Sequence, residues 1–275
     1  MKKYWWQILF LAIITTLLIR QGHLIDDTPL PIKVLPLSSF TKTYGASGAK
    51  TFIAIWFMAL FSVMSLVFIL AGKWMHGSKI AKGLAFSLSW GMVYLMGVVE
   101  WYPVFGKTSL VADIRLGMVD VLGIIVLGIL SGQFFASDGQ KGKVEVKNTS
   151  LILLLVAAFY TIGRYIEYSV LGIQSGYIER PLETLIWTLA TGLSFGALYV
   201  LTGMHRGEKS LVKKIALFGL TNAAPIWIIF NVFYPTIFEG TYWDFLLGRA
   251  VVDVIFVLLG VYCSERLIHR KAYAR

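Results

Sequence analysis

Residues 113–133 read DIRLGMVDVLGIIVLGILSGQ, and beyond Asp120 no charged side chain interrupts the stretch before Gln133. About 20 consecutive apolar residues are what a helix needs to cross the hydrocarbon core of a bilayer. An aspartate inside such a helix constrains everything around it. On insertion scales a charge near the bilayer centre costs at least ~2.5–3.5 kcal/mol, so it faces the bundle interior and takes a partner or a ligand.

Working outward, seven more apolar segments appear, giving eight in all: 4–20, 51–72, 83–102, 113–133, 150–170, 183–203, 214–235 and 245–264. The bulk numbers agree. Of 275 residues 57% are hydrophobic and 15% charged, and mean hydropathy is +0.72. A soluble domain carries roughly 25% charged residues. The expected fold class is therefore an all-α polytopic membrane protein. The net charge of +10 does not point to nucleic acid, because the basic residues sit in short clusters between apolar runs. Met1-Lys2-Lys3 and the run after it could pass for a signal peptide, but Leu18-Ile19-Arg20-Gln21-Gly22 offers no small-x-small cleavage site. This run is read as the first span.

The loops set the expected orientation. With the N-terminus inside, the cytoplasmic pieces hold sixteen Lys and Arg, from Lys2 and Lys3 through Lys79, Lys143 and Lys213 to Arg275. The outside pieces hold seven: Arg20, Lys33, Lys42, Lys50, Lys107, Arg115 and Arg180. The positive-inside rule then places both termini in the cytoplasm and the chain in the plasma (cytoplasmic) membrane. Trp5, Trp6, Trp101 and Trp243 fit interfacial belts. Residues 21–50 form a long outer connection with Pro29, Pro31 and Pro36 and then Tyr44-Gly45-Ala46-Ser47-Gly48. Connections of this length are often lids or binding loops; a plain tether is the alternative.

The stretch 113–133 has a counterpart. At a shift of 133, Val119-Asp120-Val121 meets Val252-Asp253-Val254; at 132, Tyr102-Pro103 meets Tyr234-Pro235; at 131, Ile55-Trp56 meets Ile186-Trp187. The nearly constant shift predicts two four-helix repeats: residues 1–135, a cytoplasmic linker 136–149, and residues 150–275. Four helices return the chain to its starting side, so the repeats are expected to be parallel, with polar sites between them.

Charges within the spans supply the candidate substrate-binding residues: Glu100, Asp113, Arg115, Asp120, Arg164, Glu167, Arg249 and Asp253. Helix rise puts Asp120 roughly 10 Å below Asp113 at 1.5 Å per residue. All eight fall in the outer half. Asp113, Gly117, Asp120, Gly128 and Ser131 share one stripe of their helix; Arg249, Asp253, Gly260 and Ser264 share another; Thr184, Thr188, Gly192 and Gly196 form a small-residue ridge. The two aspartate helices are therefore expected to pack together at the centre. Arg249 with Asp253 (i, i+4) and Arg164 with Glu167 (i, i+3) can neutralise each other on one helix. Asp120 has no such partner, because Arg115 lies on another face.

The histidines His23, His76, His205 and His269 share no span, so neither haem nor a membrane metal site is expected. His23 with Asp26 and Asp27 lacks a fourth ligand. The single cysteine, Cys263, makes no intramolecular disulfide. No phosphate loop, GxSxG elbow or HExxH motif occurs, and no cofactor is expected. Three functions compete: a transporter or flippase of a small molecule or lipid-linked intermediate, an intramembrane acid-base enzyme acting on a lipid or isoprenoid, and a non-catalytic subunit or regulator bound to a membrane-protein partner. Whether the chain is an enzyme is left open by its residues.

Overall fold

The computed structural model describes residues 4–26, 36–106, 108–137, 148–203, 210–240 and 242–273. Its regular elements are helical: α1 (Trp5–Ile25), α2 (Ser39–Ala71), α3 (Lys79–Val99), short α4 (Trp101–Phe105), α5 (Leu110–Phe135), α6 (Thr149–Ser169), α7 (Pro181–Thr202), α8 (Leu211–Phe218), α9 (Ala224–Ile237) and α10 (Val252–Tyr273). Two π-helical segments, Gly219–Ala223 and Trp243–Val251, precede α9 and α10. Among the described residues, eight continuous helical stretches are long and apolar enough to cross a membrane, as an integral membrane protein requires. We call the end of the bundle that α1 reaches at Ile25 the distal face.

Local chemistry sets the helix ends. Ser38, Ser78, Ser109 and Ser210 each cap a helix by accepting a hydrogen bond from the backbone N–H three residues on. Pro181 opens α7, where its missing N–H costs nothing. The spans run beyond their apolar cores. α1 continues through His23 to Ile25, and α2 begins at Ser39 rather than near residue 51. The long connection shrinks accordingly; Pro29, Pro31 and Asp27 lie outside the described residues, as does most of the linker. The rest of the connection is pinned rather than slack. Leu37 pairs with Phe238, Ser38 N donates to Ile237 O at 3.1 Å, and Thr41 Oγ1 donates to the same carbonyl at 2.9 Å. Within α2 Gly45 adopts φ 64°, ψ −168°, a conformation other residues rarely reach, and the axis breaks there.

The first π segment has a local cause. Pro225 sits inside a continuous helical stretch from 211 to 237, where it has no N–H to donate and its ring crowds the preceding turn; a widened turn accommodates it. No proline accompanies the second segment, which carries Arg249.

Packing follows the small-residue stripes. A Cβ on Gly83 would lie 2.1 Å from Gly128 O, so α3 and α5 touch backbone to backbone. Gly192 of α7 approaches Ala157 of α6, and Gly260 of α10 approaches Val156 of the same helix. The extensive helix pairs are α1 with α2 and α5, α3 with α5, α6 with α7 and α10, α3 with α7, and α2 with α9. The expected central pairing of the two aspartate helices does not occur. α5 is sequestered by α3 and α1, and α10 by α6, because their glycines face those neighbours. Where the halves of the chain meet, two indoles reach across. Trp56 Nε1 donates to Ile229 O at 2.7 Å, and Trp187 Nε1 to Met96 O at 2.6 Å.

Candidate functional site: a buried charge network beside an aromatic cavity

α6 brings Arg164 to the middle of the distal half, where its side chain is 0% exposed. It is nevertheless fully engaged. Nη1 donates to Glu100 Oε1 at 2.9 Å, Nη2 to Asp253 Oδ2 at 2.7 Å, and Nε to the Tyr160 hydroxyl at 3.0 Å. Its guanidinium also lies 4.9 Å from the Trp187 ring centroid. Glu167 stands one turn along α6, 3.7 Å from Nε. Trp227 Nε1 adds a 2.9 Å hydrogen bond to Asp253 Oδ2. Arg249 donates to Glu100 Oε1 and to the Gln174 carbonyl. Its expected i, i+4 pairing with Asp253 is replaced by these contacts. The π segment changes the angular step per residue, so Arg249 does not stack over Asp253 as on an ideal α-helix.

Two guanidinium groups and three carboxylates thus form one dry cluster drawn from α3, α6, α10 and the second π segment. Such a cluster is weak evidence of net stabilisation, but removing one member typically costs about 3–5 kcal/mol because it strands a buried charge. Both Glu167 oxygens, Asp253 Oδ1 and Arg249 Nε have no hydrogen-bond partner among the described residues.

Asp120 sits apart from this cluster. It is 5% exposed, and its partners come from two other helices: His23 Nε2 of α1 lies 2.8 Å from Oδ1, and the Tyr94 hydroxyl of α3 donates to Oδ2 at 2.7 Å. The absence of a partner on its own helix was the signal for this arrangement. The identity of the partners was not legible, because His23 reads as loop until α1 is seen to extend past it. Asp26, the other member of the outer acidic pair, bonds Arg115 Nη2 at 2.7 Å.

His23, Tyr94 and Asp120 line a cavity of about 770 Å³. That volume lies within the ordinary range of small-molecule sites. Exposed residues of α1 (Arg20, Leu24) and α2 (Lys50, Ile55) form its rim, so the cavity reaches the surface between the two helices. Buried rings of Trp56, Trp101, Phe238 and Phe245 form the inner wall. Glu100 lines the same cavity and is its link to the arginine cluster.

The eight candidate residues therefore divide. Glu100, Arg164, Glu167, Arg249 and Asp253 form the cluster; Asp120 belongs to the cavity, which Glu100 shares. Asp113 accepts a 2.7 Å hydrogen bond from Thr108 Oγ1 and closes the turn into α5. Arg115 is 61% exposed and ties α5 to the end of α1. His23, Tyr94, Tyr160 and Trp227 join the site as neutral or titratable partners that a search for intramembrane charge passes over. Among the described residues no group of three or more His, Cys, Asp and Glu is arranged to hold a metal ion. No known protein family, curated protein or solved structure matches the chain.

Proposed function

We propose that this protein is a plasma-membrane transporter or flippase that admits an amphipathic small molecule or lipid-linked intermediate sideways through the cavity mouth between α1 and α2. The observation that carries this reading is the cavity: its rim is exposed on two helices, its inner wall is aromatic, and its polar groups are confined to a few convergent side chains. Both termini are cytoplasmic in this reading, so the distal face and the cavity belong to the outer leaflet.

The same reading takes the bundle as two parallel four-helix units, and the neighbour pattern supports it. Exchanging each span with the span four places on turns the α3–α7 contact into α9–α2 and the α1–α5 contact into α6–α10. The cross-half hydrogen bonds exchange as well: Trp56 with Ile229 becomes Trp187 with Met96. Each aspartate takes a donor 26 residues before it, Tyr94 for Asp120 and Trp227 for Asp253. Each also takes a basic group from the first helix of its unit, His23 or Arg164. The first set opens on the cavity and the second is sealed, so the first is the working set.

The test uses proteoliposomes containing NBD-labelled phosphatidic acid, with dithionite added outside to read leaflet exchange. The protein should accelerate exchange, and Asp120→Asn, which keeps the shape and the Tyr94 contact, should abolish the acceleration at unchanged protein level. Equal rates for the two proteins would overturn the role of Asp120. Chemical conversion of the probe by detergent-purified protein, lost on Asp253→Asn, would favour the enzyme reading, and co-purification with a fixed membrane partner the subunit reading.

A further inference from the structure

The geometry points to the head chemistry of the cavity's occupant: a lipid with one anionic phosphate head bound between Arg20, His23 and Lys50. This rests on the cavity being an amphiphile site, as proposed above, and goes on to specify the ligand.

The sign of the head follows from which charges are already spent. The cavity's acids are occupied, Asp120 by His23 and Tyr94, and Glu100 by two arginines. Its rim cations are not. Arg20 and Lys50 make no hydrogen bond or ion pair among the described residues. Arg20 and His23 are i and i+3, so they share a face of α1, and Lys50 stands on α2, the other side of the cavity mouth. Basic groups flanking a gap repel each other unless an anion lies between them. A tetrahedral phosphate has enough acceptor oxygens to engage all three.

The inner wall adds a second requirement. The side chains between rim and wall, such as Phe230 and Phe233, are apolar and suit a hydrocarbon tail. Lysophosphatidic acid has both parts, and lysophosphatidylcholine differs from it in carrying a choline cation on the phosphate.

Binding of these two probes is measured by intrinsic tryptophan fluorescence, which Trp56 and Trp101 report from within the cavity. The protein is held in phosphatidylcholine nanodiscs. Lysophosphatidic acid should bind at least about tenfold more tightly than lysophosphatidylcholine, and the double variant Arg20→Gln, Lys50→Gln should erase that preference. Ala54→Trp, placed on the rim, should block every probe. Equal binding of the two lysolipids, unaffected by the double variant but still blocked by Ala54→Trp, would overturn the anionic head while sparing the amphiphile site. No binding by any probe, or binding indifferent to Ala54→Trp, would overturn both. Full competition by millimolar inorganic phosphate would make the ligand a free anion and overturn the lipid.

Discussion

Glu100 reaches Arg164 at 2.9 Å with the same carboxylate that lines the cavity wall. Any change at Glu100 is therefore felt on both sides, in the dry cluster and in the cavity. Glu100→Gln removes the acid that, among the described residues, bridges the two arginines, and leaves Asp253 and Glu167 as their neighbouring carboxylates. The expected loss is about 3–5 kcal/mol, the usual cost of stranding a buried charge. Unfolding by SDS titration in mixed micelles measures it, and a change under about 1 kcal/mol would show that the cluster is not held as a unit.

The contact between α3 and α5 is backbone on backbone, so it has no side chain that can yield. Gly83→Ala places a methyl group against Gly128 O and forces the two helices apart. Overpacking of this kind costs roughly 1–3 kcal/mol. Gly172→Ala is the control. Its φ is +66° but nothing lies within 4 Å of the added carbon, so it carries only the backbone cost of about 1–2 kcal/mol. Fluorescence-detected size exclusion should show less folded Gly83→Ala than Gly172→Ala.

If the two units are equivalent, their indoles contribute equally. Trp56→Phe and Trp187→Phe each remove one hydrogen bond to a carbonyl in the opposite half of the chain. Each should cost about 0.5–1.5 kcal/mol, and the double variant should equal the sum of the singles because no partner is shared. Costs that differ by several kcal/mol in the same SDS titration would argue against equivalence.

Orientation is testable through the single cysteine. In a Cys263→Ser background, Lys42→Cys and Lys73→Cys place thiols at exposed positions toward opposite ends of α2. A membrane-impermeant maleimide added to intact cells should label Lys42→Cys and spare Lys73→Cys until the cells are opened. The reverse pattern would invert the bundle and move the cavity to the inner leaflet.

The eight spans were legible because hydropathy reports length directly, and the glycine stripes were legible because helical spacing puts them on one face. The spans' ends were not. Ser39 to Lys50 is too polar to read as membrane helix, yet Ser38 caps it and Thr41 ties it to the end of α9. Pairing within a helix was half legible: Arg164 and Glu167 do meet, whereas Arg249 is turned to Glu100 by a π segment with no proline or glycine pair to announce it. His23 and Tyr94 lay beyond reach because only tertiary packing brings residues 97 and 26 positions away to Asp120.

α1 makes its extensive contacts with α2 and α5, through close approaches such as Gly123 of α5 against Ile19, while its rim residues Arg20 and Leu24 are exposed at the cavity mouth. A helix held on one side only can change its tilt without disturbing the interior. Tilt is how a span adapts to bilayer thickness, at fractions of a kcal/mol per Å of mismatch. In the proposed transporter, membrane composition would then bear on how wide the cavity mouth stands: a thicker bilayer would draw α1 upright and a thinner one would lean it over.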